Sequence, residues 1–325
     1  MFKSIIVGLK KYKYELDLLS DRKNVSKSYL YVDCFLSYVR YGCVLNHYVL
    51  GKFYLRKGFE RKRILTYRKW AKMVNRVNSP QTIHLLQNKV DFNHFFRKYI
   101  GREWIYSKRM TLDDFLQFSS KHCEAIVKPM TGLEGEGIYC LKLPNDKNRI
   151  KSIFLDLKNK DCLIEEKIQQ HSDMVFGNKS VNTIRVYTIY GKQSRTPHVL
   201  KTVLRVGVGD SIVDNSHSGG CAYEVDAKTG YVISNSYAAN GFSGYIHPNT
   251  NICMLGVHIP YWSEVLDLCK KAAAKIPECQ YIGWDVAITQ SAPVLIEGNH
   301  LPDLDMIEFV GSYGYYTTIQ TFLNQ

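Results

Sequence analysis

The stretch that most constrains this chain is Tyr281-Ile-Gly-Trp-Asp-Val-Ala-Ile-Thr289 followed by Pro293-Val-Leu-Ile-Glu-Gly-Asn299. It reads as two short apolar strands, Tyr281–Ile288 and Val294–Glu297, joined by the turn-forming segment Thr-Gln-Ser-Ala-Pro. Asp285 falls inside the first strand, while Glu297 and Asn299 close the second. Side chains alternate faces along a strand, so Glu297 and Asn299 point the same way, and pairing can bring Asp285 beside them. Three oxygen-bearing side chains on one sheet face suit Mg2+, which takes a few protein oxygens and completes its shell with water and phosphate. A lone strand aspartate is ordinarily a satisfied polar residue. The conjunction of strand-Asp, turn and strand-Glu-x-Asn is what points to a metal.

A chain of 325 residues can hold two or three subdomains with sizeable cores. No low-complexity tract or fixed-period repeat appears, which argues against disorder and solenoids. Charge is uneven. Residues 1–110 hold 24 Lys and Arg against 7 Asp and Glu, whereas residues 111–325 hold 19 against 23. The basic half suits a solvated helical face, a membrane surface, an anionic glycan or a nucleic acid. The nine cysteines are scattered with no C-x-x-C pair and no zinc-like His spacing, as expected for reduced thiols in a cytosolic protein. The apolar run Ile5–Leu9 is too short for a secretory core. Tyr29–Leu55 is interrupted by Asp33, Arg40, His47 and Lys52 and reads as packed amphipathic helices rather than a span. The expected location is cytoplasmic, extending at most to peripheral contact with the inner membrane face.

Along the chain, residues 1–28 are basic and weakly patterned. Helices are expected over Tyr29–Arg40, Val44–Leu55, Glu60–Asn75 and, after the break at Ser79-Pro80, Thr82–Tyr99, which carries Lys89. Thr111 is a good N-cap for a helix over Thr111–Ser119 with Asp113 and Asp114 in its first turn. The texture then turns strand-rich. Glu124-Ala-Ile-Val-Lys-Pro129 is a strand carrying Lys128, followed by Met130-Thr-Gly-Leu-Glu-Gly-Glu-Gly137 and a strand Ile138–Leu143. Strand, glycine-rich turn, strand is a hairpin whose backbone N–H groups can approach phosphate oxygens. It is neither a Walker loop nor a dinucleotide fingerprint. Asp161–Ile168, Val181–Tyr190 and Val199–Val208 read as further strands, the last two carrying Arg185 and Arg205. Asp214–Gly220 is a polar turn before the strand Cys221–Val225, and Tyr261–Lys275 is an amphipathic helix.

Lys89, Ile-Val-Lys128-Pro, the glycine-rich flap, Leu-Ile-Glu165-Glu166, Thr-Ile-Arg185, Trp-Asp285 and Ile-Glu297-Gly-Asn299 stand in an order that resembles the ATP-grasp superfamily. Leu204-Arg-Val-Gly, Val213-Asp-Asn-Ser-His-Ser-Gly-Gly and His300-Leu-Pro are similar to its branch associated with sugar transfer and surface-polysaccharide genes. The resemblance runs from about residue 60 to 310. It implies an α+β, ATP-grasp fold in which two α+β subdomains grip ATP between antiparallel sheets, behind a basic, mainly helical N-terminal region. The expected divisions are 1–60 (basic helical), 61–120 (helical, pre-grasp), 121–180 (subdomain A with the flap) and 181–325 (subdomain B with the Mg site).

The resemblance also implies roles. Lys89 and Lys128 would hold the α- and β-phosphates, and Thr131, Gly132, Gly135 and Gly137 would form the flap over the triphosphate. Glu165, Glu166, Lys167 and Ile168 would link the subdomains and contact adenine, with Asp173 at the ribose. Arg185 would meet the triphosphate, and Asp285, Glu297 and Asn299 would bind Mg2+, with Mn2+ as a substitute. Arg205, Asn215, His217 and Gly219 would face the transferred phosphoryl group or the acceptor, His217 being a candidate general base. Most superfamily members activate a carboxylate as an acyl phosphate for attack by an amine or thiol. The resemblance thus implies a carboxylate–amine ligase acting in surface polysaccharide biosynthesis, on a small-molecule or glycan carboxylate and an amine acceptor. Its basic N-terminal region would meet an anionic glycan or a membrane surface. Rival readings are phosphotransfer to a sugar or hydroxyl acceptor and a nucleotide-binding module without turnover. No nucleic acid is expected, since no RNA-binding motif accompanies the basic half.

Overall fold

The computed structural model describes residues 2–132, 135–209, 220–238, 243–248 and 250–324, with side chains from residue 12 onward. The weakly patterned N-terminus forms a long helix, α1 (Phe2–Lys23), followed by α2 (Lys27–Tyr41), α3 (Leu45–Leu50) and a 3-10 turn over Phe53–Leu55. Leu16, Leu19, Leu30, Cys34, Tyr48, Phe53 and Ile64 close a small core of their own among these helices. The expected helix over Glu60–Asn75 is two, α4 (Gly58–Arg63) and α5 (Tyr67–Val77), because Ile64, Leu65 and Thr66 leave the helical path to be buried between them. Thr82–Tyr99 likewise divides into α6 (Pro80–Gln87) and α7 (Lys89–Phe95). Asn88 breaks the run by capping α7, accepting from the Val90 and Asp91 N–H groups at 3.0 and 3.2 Å. Among the described residues no helix is long and apolar enough to cross a membrane.

Two antiparallel sheets follow. The first has strand order β1-β4-β2-β3, from β1 (Trp104–Tyr106), β2 (Glu124–Pro129), β3 (Tyr139–Lys142) and β4 (Cys162–Glu166). One face is sealed by α8 (Leu112–Lys121) and α9 (Lys147–Asn159), with Phe115, Phe118, Ile150 and Leu157 meeting Ala125, Val127 and Ile164. Thr111 caps α8 as expected: its hydroxyl accepts from the Asp114 N–H, and Asp114 accepts from the Thr111 N–H in return. The alternate residues Ile126, Lys128, Leu163 and Glu165 occupy the opposite face, as the pairings Ile126 with Glu165 and Lys128 with Leu163 require.

The second sheet has order β7-β6-β5-β8-β9, from β5 (Thr183–Tyr190), β6 (Pro197–Val206), β7 (Cys221–Val225), β8 (Tyr281–Ile288) and β9 (Pro293–Asn299). Ile184, Val186, Leu204, Trp284 and Val286 bury one face under α10 (Trp262–Ala274). The opposite face is covered at one end by α5, α11 (Leu304–Phe309) and α12 (Tyr315–Asn324), through Tyr187, Ile189, Val203 and Tyr281. Its other end carries the charges considered next.

Candidate active site

The register of the second sheet sets Arg185 of β5 opposite Asp285 of β8, and Asp285 opposite Glu297 of β9. An irregularity between Asp285 and Val286 leaves Ile296 as an extra residue, so that Val286 faces Leu295. This bulge lets Leu295 join the core under α10 while Glu297 stays beside Asp285 on the charged face. Arg205 of β6 lies opposite Thr183, one diagonal step from Arg185. Gly283 makes room for the arginine: a Cβ there would lie 2.5 Å from Pro302 Cβ and 3.0 Å from Arg185 Cδ.

Asp285 is 3% exposed and bound by two guanidiniums. Arg185 donates through Nε to Oδ1 and through Nη2 to Oδ2 at 2.9 Å, and Arg205 Nη1 donates to Oδ2 at 2.8 Å. Burial alone raises a carboxyl, but Arg185 and Arg205 outweigh it and hold Asp285 down at about 2. Glu297 goes the other way. Its side chain is open to the cleft, yet the protein crowded around it, together with the Asp285 charge, raises its carboxyl above the ordinary value. Asn299 Nδ2 donates to Glu297 Oε1 at 3.0 Å.

The first sheet contributes the facing group. Glu165, buried at the end of β4, accepts from Arg102 Nη2 and Asn93 Nδ2, each at 2.9 Å, and pairs with Lys128 Nζ at 2.5 Å. Despite its burial, the Arg102 and Lys128 cations hold its carboxyl well below the usual range. Lys89, at the start of α7, donates to the Met130 carbonyl at 3.3 Å, at the root of the flap. Burial lowers the Lys89 ammonium, and it feels Glu297, Lys128 and Glu165 together, so the two halves of the cluster share one space. Arg102 joins them physically: besides Glu165 it reaches the β9 carbonyls of Leu295 at 2.6 Å and Ile296 at 3.4 Å.

Lys89, Lys128, Glu165, Arg185, Arg205, Asp285, Glu297 and Asn299 are therefore brought together. The flap residues Thr131, Gly132, Gly135 and Gly137 stand between β2 and β3, with positive φ at all three glycines, the backbone freedom this hairpin needs. The Glu165 carboxylate is taken up by Arg102, Lys128 and Asn93. Glu166 Oε2 accepts from the Glu103 N–H at 3.0 Å, and Lys167 pairs with Glu124 at 2.6 Å. Ile168 is half-buried just past the strand, and Asp173 is exposed on a 3-10 turn, Ser172–Met174, with Ser172 and His171 as its hydrogen-bonding neighbours. Asn215, His217 and Gly219 lie outside the described residues. Arg102 and Asn93 were not expected. The one local signal is the neighbouring Gly101, expected to end a helix that instead ends at Phe95; its φ is +54° and a Cβ there would meet Val294 at 2.4 Å.

The donor set fits a hard divalent cation. Two carboxylates and an amide oxygen are hard donors, and the burial and the Asp285 charge that together raise Glu297 are both offset by a cation. Among the described residues no group of three or more His, Cys, Asp and Glu forms a metal cage, so a metal here would complete its shell with water and phosphate. Five cationic side chains against three carboxylates leave the cleft positive, as a polyphosphate requires.

A profile of the sugar-transfer associated ATP-grasp family matches residues 68–323. No curated protein sequence matches the chain. Solved structures similar to it include the ATP-grasp ligase PsnB complexed with minimal precursor, Mg and ADP, at 15% identity over 70% of this chain and 54% of that one, with a TM-score of 0.40. Another is D-alanyl-alanine synthetase A from Vibrio cholerae O1 biovar eltor, at 10% identity over 74% and 66%, with a TM-score of 0.44. A third is N5-carboxyaminoimidazole ribonucleotide synthetase in its ADP complex, at 10% identity over 74% and 52%, again with a TM-score of 0.44. The chain thus spans between 52 and 66% of the length of these three. With the family profile covering most of its length and the two-sheet cleft in place, this chain belongs to the sugar-transfer associated ATP-grasp family.

Proposed function

We propose that this chain is an ATP- and Mg2+-dependent ligase that joins a carboxylate to an amine in surface polysaccharide assembly, an amino acid or amine being coupled to a sugar acid. The observation that carries the reading is the meeting of two charge clusters, Lys128–Glu165–Arg102 from one sheet and Arg185–Asp285–Arg205 from the other, around one cleft. Phosphoryl transfer needs positioning and charge neutralisation more than a covalent protein group, and this cleft offers both.

Lys89 and Lys128 hold the α- and β-phosphates in this reading, and Glu165 positions Lys128 rather than touching adenine. The backbone of Glu165–Ile168 and the Asp173 carboxylate serve the adenine and the ribose. Arg185 and Arg205 turn from Asp285 toward the terminal phosphate, which leaves Asp285, Glu297 and Asn299 to hold Mg2+. The ion, when bound, neutralises charge on the β- and γ-oxygens. The flap amides of Thr131, Gly132, Gly135 and Gly137 cover the phosphates and keep water from the acyl phosphate that the substrate carboxylate forms. Asn215 and His217 serve the acceptor.

The test is ADP release from the purified chain with Mg-ATP and a panel of sugar acids and amines, with mass spectrometry of the mixture. ADP that needs both a carboxylate and an amine, with a product lighter than their sum by one water, supports the ligase. A product heavier by one phosphate group identifies a phosphotransferase instead.

A further inference from the structure

α2 is apolar on both of its faces. Leu30 and Cys34 are buried against Leu16 and Leu19 of α1, with Ser37 on the same side. Tyr29, Val32, Phe35, Leu36 and Val39 face water, with Val32, Phe35 and Val39 exposed to 60, 62 and 51%. At about 100° per residue, these five fall on an arc opposite the buried three. A helix with apolar residues on two opposite faces needs an apolar neighbour on each, and α2 has a core on one side only. The patch continues past both ends of the helix. The Tyr29 hydroxyl donates to the Tyr54 carbonyl, next to the exposed Leu55, and exposed Tyr67 follows the Thr66 that hydrogen-bonds to Tyr41.

Charge says what covers this face. Residues 27–76 hold twelve Lys and Arg against two acids, Asp33 and Glu60; of the twelve, Lys27 is paired with Asp17 and Asp21 of α1 and Arg61 with Asp33, which leaves ten. Both acids are engaged internally: Asp33 pairs with Arg61 at 2.7 Å, and Glu60 accepts from the Lys57 N–H at 2.8 Å. Arg68 borders the C-terminal end of the stripe, donating to the Tyr38 and Val39 carbonyls at 2.8 and 3.1 Å, with its guanidinium over the Tyr38 ring. Arg40, Lys57, Lys62 and Arg63 are exposed on the same N-terminal unit. An apolar stripe within a strongly basic surface is the pattern that enters the headgroup–acyl boundary of an anionic bilayer.

We propose that the outward face of α2 docks this protein on an anionic phospholipid surface, its apolar stripe entering the interface and the surrounding Lys and Arg meeting the headgroups. The proposal does not depend on the chemistry assigned to the cleft.

The test is co-sedimentation of the full chain with vesicles of phosphatidylcholine alone and of phosphatidylcholine mixed equally with phosphatidylglycerol. Binding to the anionic vesicles is expected to be at least about tenfold stronger than to the neutral ones and to weaken as salt is raised. The double variant Val32→Glu/Phe35→Glu, whose positions face water, is expected to keep its circular dichroism and melting temperature and to lose about tenfold or more of that binding. Wild-type protein that ignores anionic vesicles, or a folded double variant that binds them undiminished, overturns the proposal. So does a wild-type dimer that the double variant makes monomeric without any vesicle binding, an outcome that assigns the stripe to a second copy of the chain.

Discussion

Arg102 Nη2 stands 2.9 Å from Glu165 Oε1, an ion pair whose two side chains are almost wholly withdrawn from water. The same guanidinium donates to the Leu295 carbonyl in the other sheet, so one residue bridges the two walls of the cleft. It also keeps Glu165 ionised as a partner for Lys128.

Arg102→Ala leaves a buried carboxylate short of one cation and a carbonyl without its donor. Removing one member of a buried pair costs about 3–5 kcal/mol. A loss of that size is expected in chemical denaturation, with Arg102→Lys recovering part of it. A variant as stable as the wild type would show that the bridge adds nothing to the fold.

Lys128→Met removes a cation from the phosphate side of the cleft while Arg102 and Asn93 still hold Glu165. Charge-assisted hydrogen bonds contribute about 1.5–3 kcal/mol, so ATP affinity is expected to fall by about tenfold to a hundredfold with the fold retained. An unchanged dissociation constant removes Lys128 from the site.

Asp285→Asn preserves size but takes a charge from between Arg185 and Arg205 and an anionic oxygen from the metal site. Turnover, read as ADP release, is expected to vanish while circular dichroism stays native. Normal turnover sinks the metal assignment.

Glu308 supplies a pH signature away from the cleft. Buried near the C-terminus, it accepts from the Gly314 and Tyr315 N–H groups, and burial pushes its carboxyl up to about 7. Its folded value lies above the unfolded one of about 4.3, so its contribution is complete below that pH and is lost as pH rises through 7. Between pH 4.5 and 8 the wild type is expected to lose about 2–4 kcal/mol relative to Glu308→Gln, measured by urea denaturation at each pH. Parallel pH profiles for the two proteins would place Glu308 in water.

Most strands were legible as short apolar runs bounded by turn signals: β2 and β8 run over the residues expected, and the short turn before β9 all but dictates that Glu297 lies by Asp285, whereas the three-residue β1 was missed. The breaks in helices were not. Asn88 and Ile64–Thr66 interrupt patterns that continue in phase on either side, and only capping and burial in three dimensions end the helices there. α9 went unnoticed although its signal is present: Ile150, Ile153, Phe154 and Leu157 stand at helical spacing and pack together on the first sheet. The engagement of Asp285 by two arginines was hidden for another reason. Arg185, Arg205 and Asp285 were each singled out, but only the register of three strands reveals that they share one carboxylate. Arg102 has only the neighbouring Gly101 to mark it; its role arises from a contact with Leu295, 193 residues away.

The measurement closest to the central claim, one nucleotide site built from both sheets, is calorimetric titration with ATP in the presence of Mg2+. It should compare the wild type with Lys128→Met from the first sheet and Arg185→Lys from the second. Expected is one ATP per chain for the wild type and a weakening of at least about tenfold in each folded variant. If one variant loses affinity and the other binds as the wild type does, the two sheets do not share a site and the proposed cleft is wrong.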